Sequence, residues 1–176
     1  MILVYAFSNT WATNISRRTL SELEKLIKAI PLLSSKEGLG VDFVPIHGHP
    51  RDFFKRKIDG RQYNLIIGLG DYFGPSDKIR IETQAKNVYG QTSISPLYPI
   101  YLDVNLPNID NIDSSQFKIS SSAGTYNCNW IIFQTQLYLN HKSPKTFHLF
   151  FHLPKMQSAS ILATNIYNLL ISNNLL

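Results

Sequence analysis

The sequence predicts an α/β fold, because apolar runs that suit buried strands alternate with amphipathic helical patterns. The first run, Ile2–Phe7, is apolar throughout, as expected for a strand buried on both faces. A helix follows a polar loop, with Ser16 as its predicted N-cap and Pro31 as its end. Its apolar positions share one face: Leu20, Leu23, Ile27 and Ile30. The same order returns at Thr146–Pro154, a strong strand pattern that precedes a last helix.

The elements between these two ends continue the alternation. Short apolar runs predict strands at Val41–Ile46, Asn64–Gly70 and Phe117–Ile119, and a short helix is predicted at Arg51–Ile58. Ile79 and Ile81 alternate with polar residues, which is typical of a half-exposed strand. The proline-punctuated segment Pro96–Pro107 predicts a loop. The last helix begins at Ser158, and one face carries its apolar side chains: Ile161, Leu162, Ile166, Leu169 and Leu170.

Length and composition indicate one globular domain that spans residues 1–176. Hydrophobic residues make up 44% and charged residues 16% of the chain, which argues against disorder. The net charge of +5 is the only feature that favours a nucleic-acid partner. Because the basic residues are scattered and mixed with acidic ones, we expect a solvated surface and no nucleic acid.

A single cysteine, Cys128, excludes an internal disulfide and a zinc site built on several thiolates. It is compatible with a reducing compartment. The apolar N-terminus is only about seven residues long, which is short for a signal peptide. No run approaches the ~20 apolar residues of a membrane span. We therefore expect a cytoplasmic protein without a membrane partner.

Two of the histidines, His47 and His49, invite a metal-site interpretation because they stand two residues apart. On a strand this spacing would place both rings on one face. No third ligand is evident nearby, so a polar loop is the better interpretation and no metal is predicted. His148 is assigned to the core or the surface.

The stretch around Cys128 is the strongest candidate for chemistry. A turn containing Gly124 leads into the apolar run Trp130–Phe133, which predicts a helix with Cys128 in or near its first turn. Unpaired backbone N–H groups and the helix dipole would lower the thiol pKa below its ordinary value of ~8.5, as suits a nucleophile. The alternative is a buried, inert thiol.

Three blocks of this sequence resemble the type I pyroglutamyl peptidases (pyrrolidone carboxyl peptidases). Residues 123–129, Ala-Gly-Thr-Tyr-Asn-Cys-Asn, are similar to the segment that carries the family's nucleophile. Ile79, Glu82, Ala85 and Asn87 keep the spacing of a second block, and Phe151-His152-Leu153-Pro154 matches a third. The resemblance implies a three-layer α/β/α open twisted mixed sheet with helices on both faces. It also implies a catalytic triad of Cys128, His152 and Glu82.

Two departures from the family pattern affect the expected site. The loop that lines the family's pyroglutamyl pocket is rebuilt here, with Phe7 matching its first aromatic residue and Trp11 standing in for the second. The family's arginine some ten residues after the glutamate, which supports the oxyanion site, is absent, and only Gln91 or Thr92 stands nearby as a donor. Because losing such a donor can cost ~10²–10³ in rate, reduced or altered activity is expected.

The resemblance implies a cysteine exopeptidase that removes N-terminal pyroglutamate from peptides and needs no metal or cofactor. Phe7 and Trp11 are the expected substrate-binding residues. Two alternatives stay open: a thiol hydrolase with a changed acyl or amide substrate, and a non-catalytic binding protein that retains the fold. A homo-oligomer, as in some relatives, also stays open.

Overall fold

The computed structural model of the protein describes residues 1–29 and 40–176. Within these ranges the strands are β1 (Ile2–Ser8), β2 (Val41–His47), β3 (Leu65–Tyr72), β4 (Ile79–Glu82), β5 (Gln84–Lys86), β6 (Tyr101–Asp103), β7 (Phe117–Ser120) and β8 (Phe147–Pro154). The helices are α1 (Ile15–Lys28), α2 (Pro50–Lys57), α3 (Asn127–Lys142) and α4 (Ala159–Ser172). This alternation confirms the predicted α/β class.

Six strands form one mixed sheet in the order β2-β1-β3-β8-β4-β7. The first four run parallel to one another, β4 pairs antiparallel with β8, and β7 pairs parallel with β4. Strands β5 and β6 form a separate antiparallel pair. The reversal at β4 brings the beginning of that strand to the end of β8, and this is where the candidate site lies.

Helices cover both faces of the sheet, because successive side chains of its strands point to opposite faces. Ile2, Val4 and Ala6 of β1 join one core cluster, which also contains the apolar face of α1 and that of α4. Leu3 and Tyr5 join a second cluster with apolar residues of α2 and α3. The three-layer α/β/α architecture is therefore confirmed.

The structure differs from the predicted elements in several places. Tyr101–Asp103 forms a strand inside the segment predicted as a loop, where it pairs with β5. Strand β3 continues past its glycines to Tyr72. Ile161 is exposed, and Ala163 takes its place on the buried face of α4. These errors arise because pairing partners and helix orientation are tertiary properties.

The predicted limits of the first helix also need correction. Asn14, not Ser16, occupies the N-cap position of α1, although its side chain makes no capping hydrogen bond there. Ser16 lies inside the helix, fully buried. The predicted end at Ile30 and Pro31 lies outside the described residues. In the ranges that the structure describes, no helix is long and apolar enough to cross a membrane.

Candidate active site

A cavity of about 710 Å³ opens at the carboxyl ends of β1, β3 and β8. Open α/β sheets place their ligand crevices at this edge. The end of β1 contributes Phe7, the end of β3 contributes Asp71, and β8 contributes His152. Cys128 lines the same cavity from the start of α3. The structure thus brings four segments of the chain to one crevice.

Cys128 is the second residue of α3 and is half-buried. The loop before it turns through Gly124, whose φ of +80° is a conformation that glycine adopts readily. The first helical bond is donated by Trp130 N to Tyr126 O at 2.8 Å. The N–H groups of residues 127–129 therefore precede the helical ladder. This geometry matches the predicted turn and helix start.

Gly70 of β3 makes room for the thiol beside the histidine. A Cβ atom on Gly70 would lie 2.8 Å from Cys128 Sγ, which is closer than real Cβ contacts allow. Gly70 is also the residue of β3 that pairs with His152 of β8. The sulfur therefore packs against the strand position that is adjacent to His152.

The thiol pKa differs from the sequence-based prediction. Burial, together with the smaller effect of the carboxylates of Asp71 and Glu82, raises the pKa of Cys128 to about 12. The backbone N–H of Cys128 acts in the opposite direction and lowers the pKa by less. The predicted fall below the ordinary value is therefore wrong for the resting protein, because burial and two carboxylates outweigh the helix terminus.

His152 and Glu82 form a close contact at the edge of the cavity. His152 Nδ1 lies 2.8 Å from Glu82 Oε1, and Glu82 is fully buried. Because a carboxylate only accepts hydrogen bonds, Nδ1 carries the proton in this contact. In the neutral ring Nε2 is then an acceptor. The burial of Glu82 also corrects the prediction of a half-exposed strand at β4.

Arg80 is a cavity-lining residue that the sequence analysis missed. It lies on the same face of β4 as Glu82, two residues earlier, and pairs across the sheet with His152. Arg80 Nη2 donates a 2.5 Å hydrogen bond to Ser120 Oγ. Its guanidinium stacks 4.4 Å above the centre of the Tyr72 ring. The two-residue spacing from Glu82, which places both side chains on one face of a strand, is the sequence signal that could have identified Arg80.

The two predicted aromatic residues have different positions. Phe7 lines the cavity, whereas Trp11 is 82% exposed and lies outside the cavity lining. The loop that carries Trp11 is closed by its own hydrogen bonds: Asn9 N donates to Asn14 Oδ1 at 2.6 Å, and Thr13 N donates to Asn9 Oδ1 at 3.0 Å. These bonds leave Trp11 at the outward tip, so its predicted role in the pocket wall is corrected.

The other candidate donors lie elsewhere in the described chain. Gln91 and Thr92 are exposed and outside the cavity lining, and the Thr92 hydroxyl donates to Tyr89 O at 3.0 Å.

Two histidines singled out in the sequence have structural positions. His49 caps α2, with its Nδ1 accepting from Arg51 N at 3.1 Å. His148 is fully buried in β8.

Asp71 is a second missed residue in the cavity wall. Its Oδ1 accepts from the backbone N of Ser16 at 2.9 Å and from the Ser16 hydroxyl at 2.6 Å. These bonds tie the end of β3 to the first turn of α1. Asp71 therefore places a carboxylate near the thiol and also holds two elements of the cavity wall together.

The whole described fold is similar to that of pyrrolidone carboxyl peptidases. The enzyme from Fervidobacterium islandicum AW-1 superposes with a TM-score of 0.79 at 17% identity, over 99% of this chain and 97% of that one. Pyroglutamyl peptidase I from Bacillus amyloliquefaciens superposes with a TM-score of 0.75 at 16% sequence identity, over 98% of this chain and 93% of that one. Pyrrolidone carboxyl peptidase from Thermococcus litoralis superposes with a TM-score of 0.72 at 16% identity, over 98% of this chain and 92% of that one.

The family likeness is also present in the sequence. Residues 115–172 match the sequence model of the pyroglutamyl peptidase family. This segment carries Cys128 and His152, while Glu82 lies outside it. No curated protein matches the chain. The resemblance predicted from the sequence is confirmed, at 16–17% identity to these solved structures.

Proposed function

We propose that this protein is a cysteine exopeptidase that removes N-terminal pyroglutamate from peptides. The observation that carries the proposal is that one cavity is lined by the Cys128 thiol at a helix start and by His152, whose Nδ1 contacts the buried Glu82. The matching family segment and the shared fold support the same class of reaction. The reaction is an acyl transfer to sulfur followed by hydrolysis.

The geometry supports the following roles for the proposed triad. Because the thiol pKa is raised, the thiolate forms by proton transfer to His152 Nε2 and not by free ionisation. The sulfur attacks the carbonyl carbon of the pyroglutamyl residue. The resulting imidazolium is stabilised by Glu82 through Nδ1, as the acid does in other triads.

The remaining steps use groups that surround Cys128. The free N–H groups at the start of α3 form the positive end of the helix and stabilise the developing oxyanion. His152 then protonates the leaving amine, the carbon–nitrogen bond breaks, and a thioester remains on Cys128. Water, deprotonated by the same imidazole, hydrolyses the thioester and restores the thiol. Phe7 offers an apolar wall for the small cyclic substrate.

Release of a fluorophore from a pyroglutamyl amide tests the proposal. We expect activity in the native protein and a loss of at least ~10³-fold in Cys128→Ala and His152→Ala. His141→Ala is the matched control, because His141 is an exposed histidine at the far end of α3. A native protein that unfolds cooperatively but releases no fluorophore at high concentration would contradict the proposal.

A thiol hydrolase with another acyl or amide substrate is the second candidate. The outward position of Trp11 favours it, since the rebuilt loop lines the cavity instead with polar residues that include Asn9 and Asn14. A panel of acyl amides, assayed beside the pyroglutamyl amide, separates the two candidates. A retained fold without chemistry, the remaining alternative, would leave Cys128 unreactive toward alkylation at neutral pH.

We further propose that residues 1–176 act as one domain in the reducing environment of the cytoplasm, where Cys128 stays a free thiol. The proposed partner is a peptide with N-terminal pyroglutamate. A homo-oligomer is compatible with this function, and sedimentation of the purified protein measures it.

A further inference from the structure

A cation sits beside the Glu82–His152 contact. Arg80 Nε lies 3.5 Å from Glu82 Oε1, the same oxygen that contacts His152 Nδ1. Only 16% of the Arg80 side chain is exposed, and none of the Glu82 side chain. At such low exposure the attraction between the two charges is weakly screened by solvent. One carboxylate oxygen therefore faces both an imidazole and a permanent cation.

Three contacts hold the guanidinium in this position. Ser120 Oγ accepts from Nη2, the Tyr72 ring supports the guanidinium face, and Glu82 faces Nε. Ser120 is paired with Glu82 in the β4–β7 ladder, and His152 is paired with Arg80 in the β4–β8 ladder. These four residues therefore come from three adjacent strands, β7, β4 and β8, in a fixed register.

The charges around His152 explain why a cation matters there. Asp71 and Glu82 are the carboxylates of the site, Arg80 is the cation that lines the described cavity, and Cys128 and Tyr72 are the other ionisable side chains nearby. Lys118 pairs with Arg80 through the backbone but is exposed. A buried carboxylate favours the imidazolium form of the histidine that it contacts, and a neighbouring cation opposes this effect. An imidazolium cannot accept the thiol proton.

We propose that Arg80 is a positioning residue that shares the charge of Glu82 and so keeps His152 available as a neutral base. This role rests on the proposed function, because it acts through the proposed triad. Arg80 offsets part of the Glu82 charge in the resting state. When His152 takes the thiol proton, Glu82 still stabilises the imidazolium. Arg80 therefore lowers the pH below which Cys128 loses its reactivity.

The pH dependence of Cys128 alkylation tests this role without any peptide substrate. Rates with iodoacetamide are measured from acid to alkaline pH in the native protein and in Arg80→Met, Arg80→Gln and Arg80→Lys. We expect the acid limb of the profile to move up by about one pH unit in the Met and Gln variants. Arg80→Lys, which keeps the charge, restores most of the native profile. Lys118→Met, the loss of an exposed cation on the paired strand, leaves it unchanged.

The outcomes separate this proposal from the function. Acid limbs that coincide in the native protein and in whichever neutral variant unfolds cooperatively overturn the role of Arg80, even if the native protein releases pyroglutamate. A shifted limb with rescue by lysine supports the role, even if the native protein releases none. A shift that lysine fails to reverse indicates a purely geometric contact and also overturns it. If the native protein releases pyroglutamate, the neutral Arg80 variants should lower kcat by a larger factor than they raise KM.

Discussion

The Cys128 thiol shows how burial and position compete at a single residue. A helix N-terminus stabilises a negative charge by up to about 2 kcal/mol, whereas the packing of protein atoms around the half-buried thiol, together with two nearby carboxylates, raises its pKa to about 12. These carboxylates are those of Asp71 and Glu82, whose negative charges raise the thiol pKa. The resting thiol therefore stays protonated, and reactivity at neutral pH depends on transfer of its proton to His152.

Substitution of His152 should separate these effects. In His152→Ala we expect Cys128 alkylation at neutral pH to fall by at least ~10²-fold, because no base receives the proton. The rate then rises only as the pH approaches the thiol pKa of about 12. The iodoacetamide rate measured against pH checks this. Fast alkylation of the variant at neutral pH would show that the thiol ionises without His152.

Asp71 offers a second test at the residue scale. In the His152→Ala background, Asp71→Asn removes one negative charge but keeps an oxygen that accepts from Ser16. The thiol pKa should fall, so the alkylation rate at a fixed alkaline pH should rise several-fold. Asp77→Asn, the loss of an exposed carboxylate outside the cavity lining, is the matched control. Equal rates in both variants would contradict the role of Asp71.

At the scale of elements, Asn129 joins α3 to strand β5. Its side chain is fully buried and makes three hydrogen bonds to backbone: Oδ1 accepts from Lys86 N at 2.8 Å, and Nδ2 donates to Lys86 O and Val88 O, each at 2.7 Å. The residue next to the thiol is thus a structural clamp. It holds the start of α3 against the segment that follows Glu82.

Truncation of this clamp should cost stability and activity together. Asn129→Ala removes three part-buried hydrogen bonds to the backbone, and we expect the free energy of unfolding to fall by about 2–3 kcal/mol. The start of α3 also loses its anchor, so kcat falls. Urea unfolding and the fluorogenic assay measure both. Lys142→Ala, on an exposed position of the same helix, should change neither, and a similar loss in that control would contradict the clamp.

At the scale of the whole molecule, His148 links stability to pH. It is fully buried, and neither ring nitrogen has a hydrogen-bond partner among residues 1–29 and 40–176. Burial lowers its pKa to about 3. In the unfolded chain the pKa is close to the ordinary value of ~6.5. The unfolded state therefore binds a proton first as the pH falls.

The sign of the effect follows from linkage. Stability is greatest above pH ~6.5, where His148 is neutral in both states, and is lost as the pH falls toward the folded-state pKa, by up to ~1.4 kcal/mol per pH unit. His148→Leu should remove this part of the acid dependence, whereas His141→Gln, at an exposed site, should keep it. Urea unfolding at several pH values from 7 to 4 measures the slopes. An unchanged slope in His148→Leu would refute the assignment.

Local sequence patterns were sufficient to predict much of the secondary structure of this protein. The strand at Ile2–Phe7 and the apolar face of α1 depend on periodicity within a few residues, so the sequence predicts them directly. Cys128, Glu82 and His152 were predicted as a triad because each lies in a short string that keeps the spacing of the resembled family. Local sequence also predicted the start of α3, since a glycine turn before an apolar run is a local signal.

The sequence by itself determined the α/β class, the order of the helices and of the main-sheet strands, and the candidate nucleophile, acid and base. Only the tertiary structure decided what surrounds them. Arg80 and Asp71 reach the site through strand register and a contact across 55 positions, which no local pattern encodes. Trp11 turns outward because its loop is closed by its own bonds. The thiol pKa rises because burial, a property of the packed fold, outweighs the local helix terminus.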